Sequence, residues 1–253
     1  MSFSMVKKGQ MTVKEEFYAK GYYAGLAPEP RFAEIIKIWR QLKGERFLDI
    51  GCGDGDITLL LKENSGAKEV FGVDVAPEAV TVAQRKGIKA YKLDIDEEKL
   101  PFEDKYFDLI YCGELIEHLF NPDHLLSEIH RVLKANGTCV LTTPNLAGWP
   151  NRFALLLGYQ PYPMAASPLC EGAGKLLVKG SEGQWGHIRV LTLRSLKELV
   201  KLHHFKVRSL IGCQVTVSSP LPALLLGVIK LVDRVMSKFP SLATRIIAVL
   251  EKE

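Results

Sequence analysis

Along residues 46–143, short runs rich in β-branched and aromatic residues alternate with stretches whose apolar positions recur three and four apart. Residues 46–51 (RFLDIG) read as a first strand, and residues 54–63 carry Ile57, Leu60 and Leu61 at helical spacing. Residues 70–74 (VFGVD) form a second strand. Pro77 suits a first helical position and Glu78 the first turn, so a helix is predicted over 77–86 with Gly87 as its stop. A third strand over 88–94 and a fourth over 106–112 (YFDLIYC) follow. Asn121-Pro122-Asp123 opens the next helix, Asn136-Gly137 is its predicted stop, and residues 138–143 (TCVLTT) are the fifth strand. A β-α-β order of this kind builds a parallel sheet with crossover helices.

The rhythm breaks over 144–190, where prolines, glycines and aromatics replace the periodic pattern; this reads as a cap inserted after the fifth strand, and long loops at that edge of an α/β sheet usually serve a ligand. Regularity returns with Thr192 as N-cap of a helix, a strand over 205–217, a helix over 220–239 and a last strand over 243–250. The whole chain is expected to be one domain: a helical segment over 1–44, a core over 45–143, the cap, and a C-terminal part over 191–253.

Composition bounds the function. At 253 residues and 47% hydrophobic content the chain can bury one large core. Its 33 basic and 29 acidic residues are interspersed, which gives no clear nucleic-acid signal. Five scattered cysteines without a C-x-x-C pair read as reduced thiols. No stretch offers the ~18 uninterrupted apolar residues of a spanning helix, so a cytoplasmic protein, at most peripheral to a membrane, is expected.

The chemistry concentrates in residues 47–56 (FLDIGCGDGD), a strand running into a glycine-rich turn and a helix. In a βαβ unit such a turn marks the crevice that binds nucleotides. Asp49, Asp54 and Asp56 crowd Gly51, Gly53 and Gly55, a poor setting for a pyrophosphate and a favourable one for a cationic ligand. DIGCGDG resembles the first signature of class I S-adenosylmethionine-dependent methyltransferases, and later segments follow that family in order and spacing over roughly residues 30–215. The resemblance implies a doubly wound, seven-stranded Rossmann-like sheet whose final strand is inserted antiparallel. It implies that Asp49, Gly51, Gly53 and Gly55 cradle the donor, that Asp74 holds the ribose hydroxyls and that Val75 packs on the adenine. Asp94 would lie near the adenine amino group, with Ile95 and Gly113 completing the set.

Just past the fourth strand, Glu114, Glu117 and His118 fall at i, i+3 and i+4, where a helix would put all three on one face. Two carboxylates and an imidazole suit magnesium or a similar divalent metal, though the same residues also cap helices. The pattern resembles the Glu-x-x-Glu-His of ubiquinone-pathway O-methyltransferases and small-RNA 2′-O-methyltransferases, which implies an ion held with a further histidine, here His187. Without a metal, His118 or His187 is the candidate general base. His124, His130, His203 and His204 read as surface or packing residues. Trp149, Phe153, Tyr159, Tyr162 and Trp185 either wall an apolar acceptor pocket or form a small satellite core.

Residues 220–239 (PLPALLLGVIKLVDRVMSKF) place Lys230, Arg234 and Lys238 four apart. Leu224, Leu225, Val228, Leu231 and Val235 are expected to pack on the sheet with the basic stripe solvated; the alternative is a helix lying among lipid headgroups, serving a lipid-linked acceptor. The expected reaction is methyl transfer to a small molecule, at oxygen rather than nitrogen or carbon. The competing readings are a non-catalytic S-adenosylmethionine-binding sensor or complex subunit, and a dinucleotide-dependent oxidoreductase, which the acidic loop disfavours.

Overall fold

The computed structural model describes residues 30–167, 169–178, 186–214 and 222–253. Seven strands form one sheet: β1 (Arg46–Ile50), β2 (Glu69–Asp74), β3 (Lys89–Lys92), β4 (Phe107–Gly113), β5 (Leu133–Pro144), β6 (Phe205–Cys213) and β7 (Arg245–Lys252). Their order is β3-β2-β1-β4-β5-β7-β6. The first five run parallel, whereas β7 slots between β5 and β6 antiparallel to both, as the sequence led one to expect.

The helices are α1 (Pro30–Trp39), α2 (Asp56–Ser65), α3 (Pro77–Arg85), α4 (Pro122–Val132), α5 (Trp149–Leu156), α6 (Leu193–Leu202) and α7 (Ala223–Met236). Successive strand residues point to opposite faces, so each central strand feeds two cores. Leu48, Ile110 and Leu141 join Leu125, Ile129, Leu196 and Val200 on the α4/α6 side. Phe47, Leu109, Val140 and Ile247 join Ile35, Trp39, Leu61, Val80 and Ala83 on the α1–α3 side. Burial on both faces is why these strands read as nearly unbroken apolar runs.

Local signals account for most helix ends. Pro77 sits in the first turn of α3, the Asn121 side chain accepts from the His124 amide to start α4, and Thr192 and Ser195 close a reciprocal cap on α6. The expected stop at Asn136-Gly137 is corrected. Helix α4 ends at Val132, and Leu133, wholly buried, already pairs with Phe107 at the start of β5. Asn136 and Gly137 therefore lie in a strand, within the register shift that separates the Phe107 and Leu109 pairings. Burial of Leu133 overrides the local preference of Asn-Gly to end a helix.

The helix expected over 220–239 is α7, but it is turned the other way. Leu224, Leu225, Val228, Leu231 and Val235 are exposed rather than packed on the sheet. Asp233, the helix's buried residue, sets this orientation by accepting a hydrogen bond from the Trp149 indole at 2.9 Å. Expectations for residues 1–29, Trp185, the end of the sixth strand over 215–217, and Pro220 and Leu221 fall outside the described residues.

Between β1 and α2 the chain turns through Gly51, Gly53 and Gly55 with φ of 80°, 53° and 87°. A side chain is excluded at Gly55 twice over, because a Cβ there would strike Ile88 Cδ1 and lie 3.3 Å from the Ala83 Cβ. Gly55→Ala is expected to destabilise the protein by about 2–4 kcal/mol, from left-handed backbone strain plus overpacking, readable as a lower chemical-denaturation midpoint.

Candidate active site

The strand order reverses between β1 and β4: β1 pairs with β2 on one side and with β4 on the other. At such a break the loops leaving neighbouring strands diverge and open a furrow at their carboxyl ends. Two clefts fill that furrow, and both touch Gly51. One is walled by Val73, Val75, Leu93, Ile95, Leu115 and Leu119, with Asp74 and Asp94 among its polar lining. The other is lined by Asp49, Asp54, Tyr111, Gly113 and Glu114, together with Arg31 and Phe32 of α1. Every cofactor residue expected from sequence except Gly53 and Gly55 thus lines the furrow, and those two shape the turn beneath it.

Asp74 closes β2 and holds the turn. Its Oδ2 accepts from the Gly53 amide at 2.8 Å and its Oδ1 from the Ala76 amide at 2.9 Å. Burial raises its carboxyl above the ordinary value while these amides pull it back. A carboxylate oxygen has two acceptor positions, so each keeps one for a ligand hydroxyl. Gly113 is small for a different reason: a Cβ there would collide with the Tyr111 ring and hydroxyl.

The charge argument made from the glycine turn needs revision. Asp54 and Asp56 are both paired with Lys86 at the end of α3, Asp54 at 3.2 Å, so one cation offsets part of their charge. Asp49 is buried, and its carboxyl is pushed up to about 7 by burial, against the pull of the Thr58 hydroxyl donating at 2.6 Å. The three acids are therefore not equivalent: Asp49 is driven toward its neutral form, and Asp54 and Asp56 share one lysine.

Glu114, Glu117 and His118 do not share a helix face. Glu114 has a φ of 52°, and only Ile116–His118 wind, as a single 3₁₀ turn. Glu114 parts from the other two accordingly. Glu114 Oε2 meets Arg31 Nη1 at 3.0 Å and Arg245 Nη1 at 3.2 Å, while its Oε1 accepts from the Thr142 hydroxyl at 3.1 Å. Burial works to raise the Glu114 carboxyl, but Arg245 and Arg31 outweigh it and hold it below the usual glutamate range. Glu114, expected among metal ligands, is thus committed to a buried ion cluster.

Glu117 is fully buried; its Oε2 accepts from the Thr143 hydroxyl at 3.0 Å, and its Oε1 is buried with no hydrogen-bond partner among the described residues. Burial, reinforced by the charge of Glu114, pushes its carboxyl well up. The Glu117 carbonyl accepts from the Ile188 and Arg189 amides, which draws the cap against this turn. His187 arrives on that cap, its ring 4.8 Å from that of His118. The Nδ1 of His187 is 2.7 Å from the Pro163 carbonyl, which can only accept, so Nδ1 carries the proton and Nε2 the lone pair. Burial and the neighbouring His187 push His118 down to about 4, and burial lowers His187 as well. Both imidazoles are neutral at physiological pH, and His118 is a weaker base than a free histidine.

Among the described residues, the cap aromatics are not gathered into one closed pocket. Trp149 is pinned to α7, whereas Phe153 and Tyr159 are exposed. Of the four histidines read as surface or packing residues, two hydrogen-bond to other segments, His124 to the Glu98 carbonyl and His203 to Asp123 and Ser127, while His130 packs its ring on Phe205. Sequence reasoning missed Arg31, Arg245, Thr58 and Lys86. The first two had no signal, because they reach Glu114 from α1 and β7, 83 positions before it and 131 after it; Lys86, 30 positions after Asp56 and flanked by Arg85 and Lys89, had none either.

This sheet order, with a furrow at the β1/β4 break and β7 inserted antiparallel, defines the class: it is a doubly wound α/β fold. Residues 48–141 match the family described as a methyltransferase domain. Among curated proteins the chain is 32% identical over 149 residues to demethylmenaquinone methyltransferase of Thermus thermophilus, covering 57% of this chain and 64% of the relative. It is 34% identical over 136 residues to ubiquinone biosynthesis O-methyltransferase of Xanthomonas oryzae, covering 51% and 54%. The chain thus spans about half to just under two thirds of the length of these relatives. Among solved structures it resembles a chain of the complex between the Haloferax volcanii Trm112 methyltransferase activator and a methyltransferase, with a TM-score of 0.63, 18% identity and coverage of 94% and 96%. A Thermotoga maritima S-adenosylmethionine-dependent methyltransferase gives 0.58 at 16% identity, covering 88% and 90%. At these identities the two structures speak for the fold.

Asp49 yields a pH prediction. The native carboxyl titrates near 7 and the unfolded one near 3.8, so between those values the native state holds the extra proton and stability falls as pH rises. Asp49→Asn keeps an acceptor for Thr58 and removes the titration. Its stability relative to wild type, from urea melts at pH 5 and pH 8, is expected to improve at the higher pH, by at most about 3 kcal/mol.

Proposed function

We propose that this protein transfers a methyl group from S-adenosylmethionine to oxygen on a small, hydrophobic or lipid-linked acceptor. The observation that carries the reading is the furrow itself. An apolar slot between Val75, Ile95, Leu115 and Leu119 fits a purine, and Asp74 offers acceptors for two ribose hydroxyls at its edge. The second cleft, with Asp49 and a carboxylate-bearing wall, suits the ammonium of an amino-acid tail. Methyl transfer is an in-line displacement at a cationic sulfur, so the protein's task is to align the acceptor and keep water out. The quinone-pathway activities of the matched relatives support a small-molecule acceptor.

Calorimetric titration tests this. S-adenosylhomocysteine is expected to bind and NAD not to; Asp74→Ala is expected to weaken binding of the nucleoside at least tenfold, through loss of two hydrogen bonds to a charged acceptor. Binding of NAD in preference to S-adenosylhomocysteine would refute the assignment.

A divalent ion is the second element of the proposal. Glu117, His118 and His187 offer one ligand atom each, all within 4.8 Å of one another. The buried Glu117 Oε1 is the observation that favours it, since a cation would supply the opposite charge that burial denies this carboxyl. One carboxylate and two neutral imidazoles fit iron, manganese or zinc better than magnesium, which prefers an all-oxygen shell. An ion held there would act as a Lewis acid toward an acceptor oxygen. In its absence, the lone pair on His187 Nε2 is the proton acceptor, because burial and the neighbouring His187 make the His118 ring a weak base. Glu117→Ala and His118→Ala are expected to abolish both metal retention, read by elemental analysis, and inhibition by chelator. A wild-type protein that retains no metal and ignores chelators would remove the ion from the proposal.

A further inference from the structure

Helix α7 is an apolar surface element with a charged edge. Leu224 is 83% exposed, Leu231 60% and Val228 51%, with Leu225 and Val235 also exposed. At about 100° per residue these five side chains span one continuous face. Lys230, Arg234 and Lys238 project along one border of that face, and all three are exposed. The acid of the helix, Asp233, is turned inward onto the Trp149 indole, so the outward side of α7 carries apolar and positive groups and no carboxylate.

The same indole bond joins α7 to α5, whose exposed Phe153, Leu155 and Leu156 add to the apolar surface. Apolar patches of this kind on a soluble domain mark a docking surface. The basic border selects the occupant. A second copy of the chain would bring no acidic group from this face to meet Lys230, Arg234 and Lys238. A bilayer containing anionic phospholipid supplies both an acyl boundary for the leucines and phosphates for the cations. No helix among the described residues is long and apolar enough to cross a membrane, so the contact is interfacial.

We propose that α7, flanked by α5, is a docking surface for an anionic phospholipid bilayer, on which the domain sits with the leucine face in the headgroup layer. The proposal is independent of the nucleoside furrow, whose titration serves as a folding control for the variants below.

Flotation of the purified full chain with phosphatidylglycerol/phosphatidylcholine vesicles, and with phosphatidylcholine vesicles alone, tests it. Association with the anionic vesicles, weakened by salt, is expected. Lys230→Gln/Arg234→Gln is expected to lower partitioning about 30-fold, from roughly 1 kcal/mol per basic residue near the surface. Leu224→Ser/Leu231→Ser, which alters only exposed side chains, is expected to lower it at least tenfold while leaving circular dichroism and S-adenosylhomocysteine titration as in wild type. Absence of flotation on anionic vesicles would overturn the proposal, as would flotation that neither double variant diminishes. A dimer by light scattering that Leu224→Ser/Leu231→Ser dissociates, without vesicle binding, would assign the face to a second copy and overturn it equally.

Discussion

A parallel sheet can grow only through crossovers of one hand, and this constraint decides where the protein keeps its chemistry. Successive strands laid down from β1 proceed outward to β3, and the chain must then return to the other side of β1 to place β4. The loops leaving β1 and β4 therefore part company, and the furrow is the gap between them. Everything chemically distinctive sits on its rim: the glycine turn after β1, Asp74 at the end of β2, Asp94 and Ile95 after β3, and the Glu114–His118 segment after β4. The furrow is a product of connectivity, and the residues at its edge adapt it to a ligand.

Electrostatics within it are arranged by burial more than by the number of charges. Asp54 and Asp56 lie on the turn yet are answered by Lys86, while the buried Asp49 and Asp74 shape the cleft. Glu114 and Glu117, three residues apart, show the same principle at its sharpest. One is surrounded by two arginines and kept ionised; the other, with a single hydroxyl donor, is driven toward its neutral form. Removing Glu114 would leave two buried guanidinium groups facing each other, and so this cluster is also a clasp that ties α1 and β7 to the end of β4.

Helix α7 follows a different logic. Leu226, Ile229, Val232 and Met236 lie on its less exposed side around the buried Asp233, while Leu224, Leu225, Val228, Leu231 and Val235 face solvent. The helix is thus apolar on both sides, whereas a surface helix normally carries one apolar stripe.

Read without coordinates, the chain discloses the alternation of its strands and helices, which depends on short-range regularities, while the strand order and the expected cofactor residues came from a resemblance to a known family. Alternation of strand and helix periods implies a parallel sheet, and glycines at Gly51, Gly53 and Gly55 followed by acids at the ends of successive strands mark the crevice, since each of these features acts within a few residues of itself. What it could not disclose were relations between distant segments. Arg31 and Arg245 converge on Glu114 from the two ends of the chain and remove it from the metal-ligand set; the φ of 52° at Glu114 breaks the helix that the Glu-x-x-Glu-His spacing suggested. Leu133 is drawn into the sheet beside Phe107 and overrides Asn136-Gly137, and the side of α7 that turns inward carries the buried Asp233, bonded to Trp149. Periodicity specifies that a helix has two sides, but which side turns inward depends on a partner whose position exists only once the chain has folded.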